Sequence, residues 1–178
     1  NVDNQLDVLE GSQKRVEDKL KYHERLLQNQ KWEYSAPRPS PEYWSSIDED
    51  ETGEAEYFLN HIKCSTEEMR YGSGDGIIEI DADISYNEEF LPHWKEFANA
   101  LKQYHYHIEH STGQRDSSTL HLYNIKLPEN VIDLLFNALK STHFQRIDLR
   151  NNNCGHKGID FTLKYLKSNQ TLKEFTPP

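Results

Sequence analysis

Leu120-x-Leu122 and Ile147-x-Leu149 write one short alternating apolar pattern twice, at an interval of 27 residues. Each copy is followed by a run with helical spacing: Val131, Leu134, Leu135, Ala138 and Leu139 after the first, Ile159, Leu163 and Leu166 after the second. Leu172 and Phe175 open a third strand, 28 residues after Phe144 and Ile147. Strand alternation followed by helical spacing, repeated, predicts strand–turn–helix–turn units. A unit this small cannot bury its apolar faces alone, so such units stack into a parallel strand ladder with helices outside. An irregular earlier copy lies upstream, with Ile78 and Ile80 as its strand and Phe90, Trp94, Phe97 and Leu101 as its helix. Ala98–Lys102 (ANALK) echoes Phe136–Lys140 (FNALK) at a spacing of 38, and the excess falls in the loop Tyr104–Ser118.

The rest of the chain is different in kind. Leu, Ile, Val and Phe number 12 in residues 1–76 but 28 in residues 77–178, and the first part carries net charge −8 against −2 for the second. Residues 77–178 can therefore bury a core, whereas most of residues 1–76 are expected not to. The overall charge of −10 argues against a phosphate-backbone binder, because little counterion would be released. No apolar run approaches the length of about 20 residues needed to cross a bilayer. Cys64 and Cys154 are too few and too far apart for a disulfide framework or a cysteine zinc site, and they point to a reducing compartment, cytoplasmic or nuclear. The sequence opens at Asn1, so a removed leader stays open.

Residues 3–31, within a first segment 1–34, read as an amphipathic helix. Leu6, Leu9, Val16, Leu20 and Leu27 fall on a heptad seam that also carries Gln13, His23 and Gln30. The seam would allow a homodimeric coiled coil, with a solvated helix as the plainer reading. Three prolines, Pro37, Pro39 and Pro41, then break any helix. The acid run Asp48–Glu51, with Glu54 and Glu56, is interleaved with aromatic residues. Residues 35–76 are accordingly expected to be a linker or extended arm, anchored by its aromatics, with a helical turn or two over 55–63. Gly72, Gly74 and Gly76 precede a strand with no GK[ST] after them, and read as a joint rather than a phosphate loop.

At Phe144-x-x-Ile147-x-Leu149-x-x-Asn152-x-Cys154 the sequence resembles the leucine-rich repeat consensus, and the whole unit from Ile147 to Phe175 resembles the long repeats of the ribonuclease-inhibitor-like class. That class includes the repeats of NOD-like receptors and of the GTPase activator of Ran. The resemblance is strong for 144–175, fair for 118–143, where Ile125 stands in place of the consensus Asn, and weak for 77–103. It implies an α/β fold, a short solenoid with an irregular repeat at 77–117, repeats at 118–143 and 144–171, and a partial one at 172–178. Ile147 and Leu149 would face the core, and Asn152 would hydrogen-bond backbone where the chain turns away. Cys154 would be a small buried side chain, with Gly155 and Gly158 in the turn before the helix. The chain ends just after a new strand begins, which reads either as part of a longer array or as an edge blunted by Pro177 and Pro178.

Reactive constellations are few. His105, His107 and His110 cluster where the long loop begins, and with Glu109 could hold zinc, although the spacing fits no standard signature. Glu79, Asp81 and Asp83 alternate at the first strand without a nucleophile or pocket beside them. No serine, cysteine or lysine sits among the partners that nucleophilic catalysis needs, so the chain is read as non-enzymatic, with no cofactor and no metal. What remains is the open strand face. Residues alternating with the buried ones point into it: Glu79 and Asp81 from the first strand, Thr119, His121 and Tyr123 from the second, and Arg146, Asp148 and Arg150 from the third. This mixture of charge with Tyr and Arg suits a protein partner, not nucleic acid or membrane. The alternatives are a scaffold that self-associates through residues 3–31 and, behind it, a metal or catalytic protein built on the histidine loop. A regulatory role toward a small GTPase rests on family analogy alone.

Overall fold

The computed structural model describes residues 2–29, 31–71, 75–104, 118–142, 144–152, 154–169 and 172–177. Two compact units divide at residue 34. The first contains helix α1 (Val2–Asn29), on which Leu9, Val16, Leu20 and Leu27 are all exposed. Their spacing leaves an apolar seam on its surface.

The second unit, Tyr34–Pro178, starts in a stretch expected to be an arm, and the structure corrects that expectation. After an extended Pro-rich segment come α2 (Pro41–Ser46) and a long α3 (Glu49–Tyr71). The acid run does not loosen the chain here; it starts the helix. Asp48 Oδ1 accepts the Glu51 N–H at 2.9 Å, and Glu51 Oε2 accepts the Asp48 N–H at 3.3 Å. That reciprocal box satisfies two donors at the helix start, where the dipole also favours the acids. Ala55, Phe58, Leu59, Ile62, Thr66 and Met69 recur at helical spacing and are buried. Phe58 meets Phe90 and Trp94 with ring centroids 5.2 and 5.4 Å apart. Burying a side chain of this size is worth about 1.5–3 kcal/mol, so α3 is part of the core.

The extended segment before α2 is pinned at several points. Tyr34 bonds His93, Arg38 pairs with Glu56 and lies 4.7 Å above the Trp44 ring, and Ser40 bonds Glu89.

Strands β1 (Ile77–Asp81), β2 (Thr119–Tyr123), β3 (Arg146–Asp148) and β4 (Glu174–Thr176) form one parallel sheet in sequence order. The connections carry α4 (Leu91–Gln103), α5 (Glu129–Leu139) and α6 (Gly155–Ser168). The described residues are thus α/β, with a four-stranded parallel sheet and six α-helices among them. The register pairs Ile78, Leu120, Ile147 and Phe175 across the sheet, so β2 and β3 partners are 27 residues apart and β3 and β4 partners 28. The first three of these, with Ile80, Leu122 and Leu149, are buried against the helices in one cluster. Helix α3 packs on α4 and β1, and α4 on α5. The ANALK and FNALK echoes have the same burial pattern, with Asn99 and Asn137 exposed and the residues on either side of each buried.

Ile159, Leu163 and Leu166 are in α6 but 47–59% exposed; Phe161 and Tyr165 take the core instead. Phe161 stacks on Phe136 at 4.1 Å, and the Tyr165 hydroxyl donates to the Thr142 carbonyl at 3.2 Å. Gly155 has φ +54 at the first helical position, a left-handed conformation that glycine adopts without penalty. Gly158 is already one turn into the helix and buried.

Candidate functional site

The strand exits form a stitched edge beside the open face. Asn124 and Asn151, 27 residues apart, both have positive φ, at 64° and 62°. Asparagine tolerates that region better than most residues. Asn124 Nδ2 donates to Asp81 Oδ1 at 3.1 Å, and Asn151 Nδ2 donates to Asn124 Oδ1 at 3.0 Å, linking three successive strand ends. Beneath them Asn152 is buried. Its Nδ2 donates to the Leu122 carbonyl at 2.5 Å and the Leu149 carbonyl at 2.9 Å, and its Oδ1 accepts the Ile125 N–H at 3.1 Å. Ile125, in place of a second asparagine, is itself buried.

On the face itself the register sets rows. Glu79, His121, Asp148 and Thr176 form one; Ile77, Thr119, Arg146 and Glu174 form another; Asp81 lies beside Tyr123 at the exit end. The Tyr123 hydroxyl donates to Glu79 Oε1 at 2.9 Å. That hydrogen bond to a carboxylate, with burial and the nearby acids behind it, pushes the phenol up to about 12. His121 Nδ1 lies 3.9 Å from Glu79 Oε2, and its ring is 5.9 Å from that of Tyr123. Arg150 grips Asp148, with Nε 2.9 Å and Nη2 2.6 Å from Oδ2, while its guanidinium stands 5.8 Å above the Tyr123 ring. Arg146 Nε is 3.6 Å from Glu174 Oε2.

Glu79, Asp81, His121, Tyr123, Arg146, Asp148 and Arg150, all expected on this face, therefore take part in its polar contacts. Two of the residues expected there are less open than alternation implied. Thr119 is buried, a short side chain on a central strand between Ile77 and Arg146. Asp148 is only 8% exposed because Arg150 lies against it. Three residues of the face went unnoticed in the sequence. Glu174 and Thr176 follow Arg146 and Asp148 by the 28-residue register and could have been found from it. Ile77 is a 43% exposed apolar side chain at the entry to β1 and carries no sequence signal of its own.

The surface is electrically graded. Glu79, Asp81 and Asp83 give the β1 side a negative character, with Lys126 on Asp83 at 2.9 Å. Arg146 and Arg150 give the β3 side its cations. Among the described residues no group of three or more His, Cys, Asp or Glu side chains is placed to hold a metal ion. His105, His107 and His110 lie outside the described residues, as do Gly72 and Gly74. Cys154 is half-buried, and burial pushes its thiol up to about 11; Cys64 is exposed on α3. No described helix is long and apolar enough to cross a membrane. Comparison with protein-family models, with curated proteins and with solved structures gives no match to this chain.

Proposed function

We propose that the second unit is a short leucine-rich repeat solenoid of the ribonuclease-inhibitor-like kind, acting as a non-enzymatic module that binds a protein partner through the strand face. The sequential parallel order of the strands, the 27-residue offset between partners and the Asn152 stitch all favour the repeat reading. The observation that carries the binding reading is Tyr123. It is held upright between Glu79 and Arg150 at the exit end of the middle strands, with its ring only partly covered. A rigid aromatic with an arginine beside it is the kind of anchor on which interfaces concentrate their binding energy. Its charge gradient suits a partner with a cationic group over Glu79 and Asp81 and a carboxylate over Arg146 and Arg150. Two free thiols fit an intracellular setting, and the net charge of −10 disfavours nucleic acid.

Native-lysate capture with wild-type bait and with a Tyr123→Ala/Arg146→Ala/Arg150→Ala variant tests this reading. A protein retained by the first and lost by the second, with unchanged circular dichroism, is the expected result. The same set of proteins on both baits would remove the strand face from consideration.

A second reading, self-association through α1, is favoured by the exposed seam Leu9, Val16, Leu20 and Leu27. Here deletion of residues 1–33 would halve the mass in solution.

A further inference from the structure

Helix α6 has two apolar sides, and among the described residues one of them enters the core. Phe161 and Tyr165 enter the core, while Ile159, Leu163 and Leu166 form a second stripe at positions i, i+4 and i+7, each about half exposed. The register explains where this stripe lies. Subtracting the 27-residue offset between β2 and β3 takes Ile159, Leu163 and Leu166 to Ile132, Phe136 and Leu139 on α5, all buried. Phe136 is the residue on which Phe161 of the following helix stacks. The same offset takes Asp160 to Asp133, which is bridged from α6 by Lys157 Nζ at 2.7 Å. On α5, then, this side carries apolar residues that are packed and a carboxylate that meets a lysine from the neighbouring helix. On α6 the equivalent side bears the same chemistry. Among the described residues Asp160, Lys164 and Lys167 have no ion-pair partner. Strand β4 is last in the sheet order, so its outer edge is also without a strand among the described residues.

We propose that a second copy of this chain covers this end of the fold, with the two α6 helices packed antiparallel about a two-fold axis near Leu163. The stripe is self-complementary in that orientation. Leu163 meets its own copy, and Ile159 meets Leu166 of the partner. Asp160 lies toward one end of the stripe and Lys167 toward the other, and both project on the same flank at helical spacing. An antiparallel two-fold brings matching flanks together, so each Asp160 faces a Lys167 across the interface, twice over. A parallel two-fold would put the two matching flanks on opposite sides of the pair, so Asp160 and Lys167 would not meet. The proposal uses residues of α6 only, none of them on the strand face or on α1, and does not depend on the proposed binding function. Its failure and the failure of strand-face binding are therefore read in different experiments.

The test is sedimentation equilibrium on the full chain, whose single-copy mass is 21.0 kDa. The wild type should approach twice that mass, and Leu163→Asp, an exposed position that leaves the fold intact by circular dichroism, should return it to one copy. Asp160→Lys alone and Lys167→Asp alone should each weaken the dimer by about tenfold or more, since each places two like-charged pairs in the interface. Mixing those two variants should restore association, because the mixed dimer regains both opposite pairs. A wild type that stays at single-copy mass into the high micromolar range would overturn the proposal. So would a dimer that survives Leu163→Asp but is lost when Leu9, Val16 and Leu20 are changed together to Asp, or single-charge variants that fail to rescue one another.

Discussion

Asn152→Ala isolates the part of the fold that the repeat reading depends on most. The side chain is 5% exposed and makes three hydrogen bonds, two given to the carbonyls of Leu122 and Leu149 and one taken from the Ile125 N–H. All three partners are backbone groups where the chain leaves a strand, and no ladder is available to them there. Each such bond is worth about 1 kcal/mol net, and a buried partner left bare costs about 1–3 kcal/mol. The substitution should therefore cost about 3 kcal/mol or more, a large share of the roughly 5–15 kcal/mol that holds a domain together. Urea unfolding followed by circular dichroism should show the midpoint falling by about 1–3 M with an unchanged slope. Asn152→Asp is the sharper variant. It keeps an acceptor for Ile125 but turns a carboxylate oxygen toward two carbonyls, so it should be at least as damaging as alanine. Asn99→Ala, on the exposed face of α4, is the control and should change stability by less than about 0.5 kcal/mol. A loss below about 1 kcal/mol for Asn152→Ala would refute the claim that this residue completes the strand exits.

Three further outcomes follow from named contacts. His93 is buried, with Nε2–H given to the Pro37 carbonyl at 2.9 Å and Nδ1 accepting the Tyr34 hydroxyl at 2.6 Å, and burial lowers its pKa. Because the unfolded chain takes up the proton more readily, the neutral ring's contribution is full above the unfolded value of about 6.5 and is lost as pH falls from there through the folded value. The urea midpoint should drop between pH 7.5 and 5 by more in the wild type than in His93→Gln, and equal drops would contradict this. Cys64 should react with a disulfide reagent at pH 8 while Cys154, its thiol raised to about 11, stays unmodified until the chain is unfolded; two equally fast thiols would be the opposing result. Phe58→Ala should cost about 3–5 kcal/mol in the same unfolding assay, whereas a cost near zero would return α3 to the status of an arm.

The strands and helices from Ile77 onward were legible because their apolar spacing changes from alternation to helical recurrence and then repeats. Helix α3 was hidden by its own composition. A run of acids after three prolines reads as solvated chain, yet Asp48 and Glu51 are the ends of a capping box, and Ala55, Phe58, Ile62, Thr66 and Met69 keep helical spacing among the charges. Helix α6 shows a different limit. Its sequence has apolar residues on two sides, and periodicity alone does not say which side the core takes. The choice is made by Phe136 and Thr142, which offer a ring and a carbonyl to Phe161 and Tyr165. On the strand face, alternation gave eight outward positions, of which Thr119 and Asp148 are buried. The burial of Thr119 and Asp148 depends on what stands across from them in the register, and no single strand contains that information.

The central claim is that the open strand face, not the helical side, meets a protein partner. Photocrosslinking from one position on each side tests it most directly: Ile77→p-benzoylphenylalanine on β1, exposed at the edge of the face, and Asn99→p-benzoylphenylalanine on α4, each carried in the full chain and irradiated in native lysate. The account predicts a discrete adduct from position 77 that is absent from position 99. An adduct from position 99 with none from position 77 would contradict it.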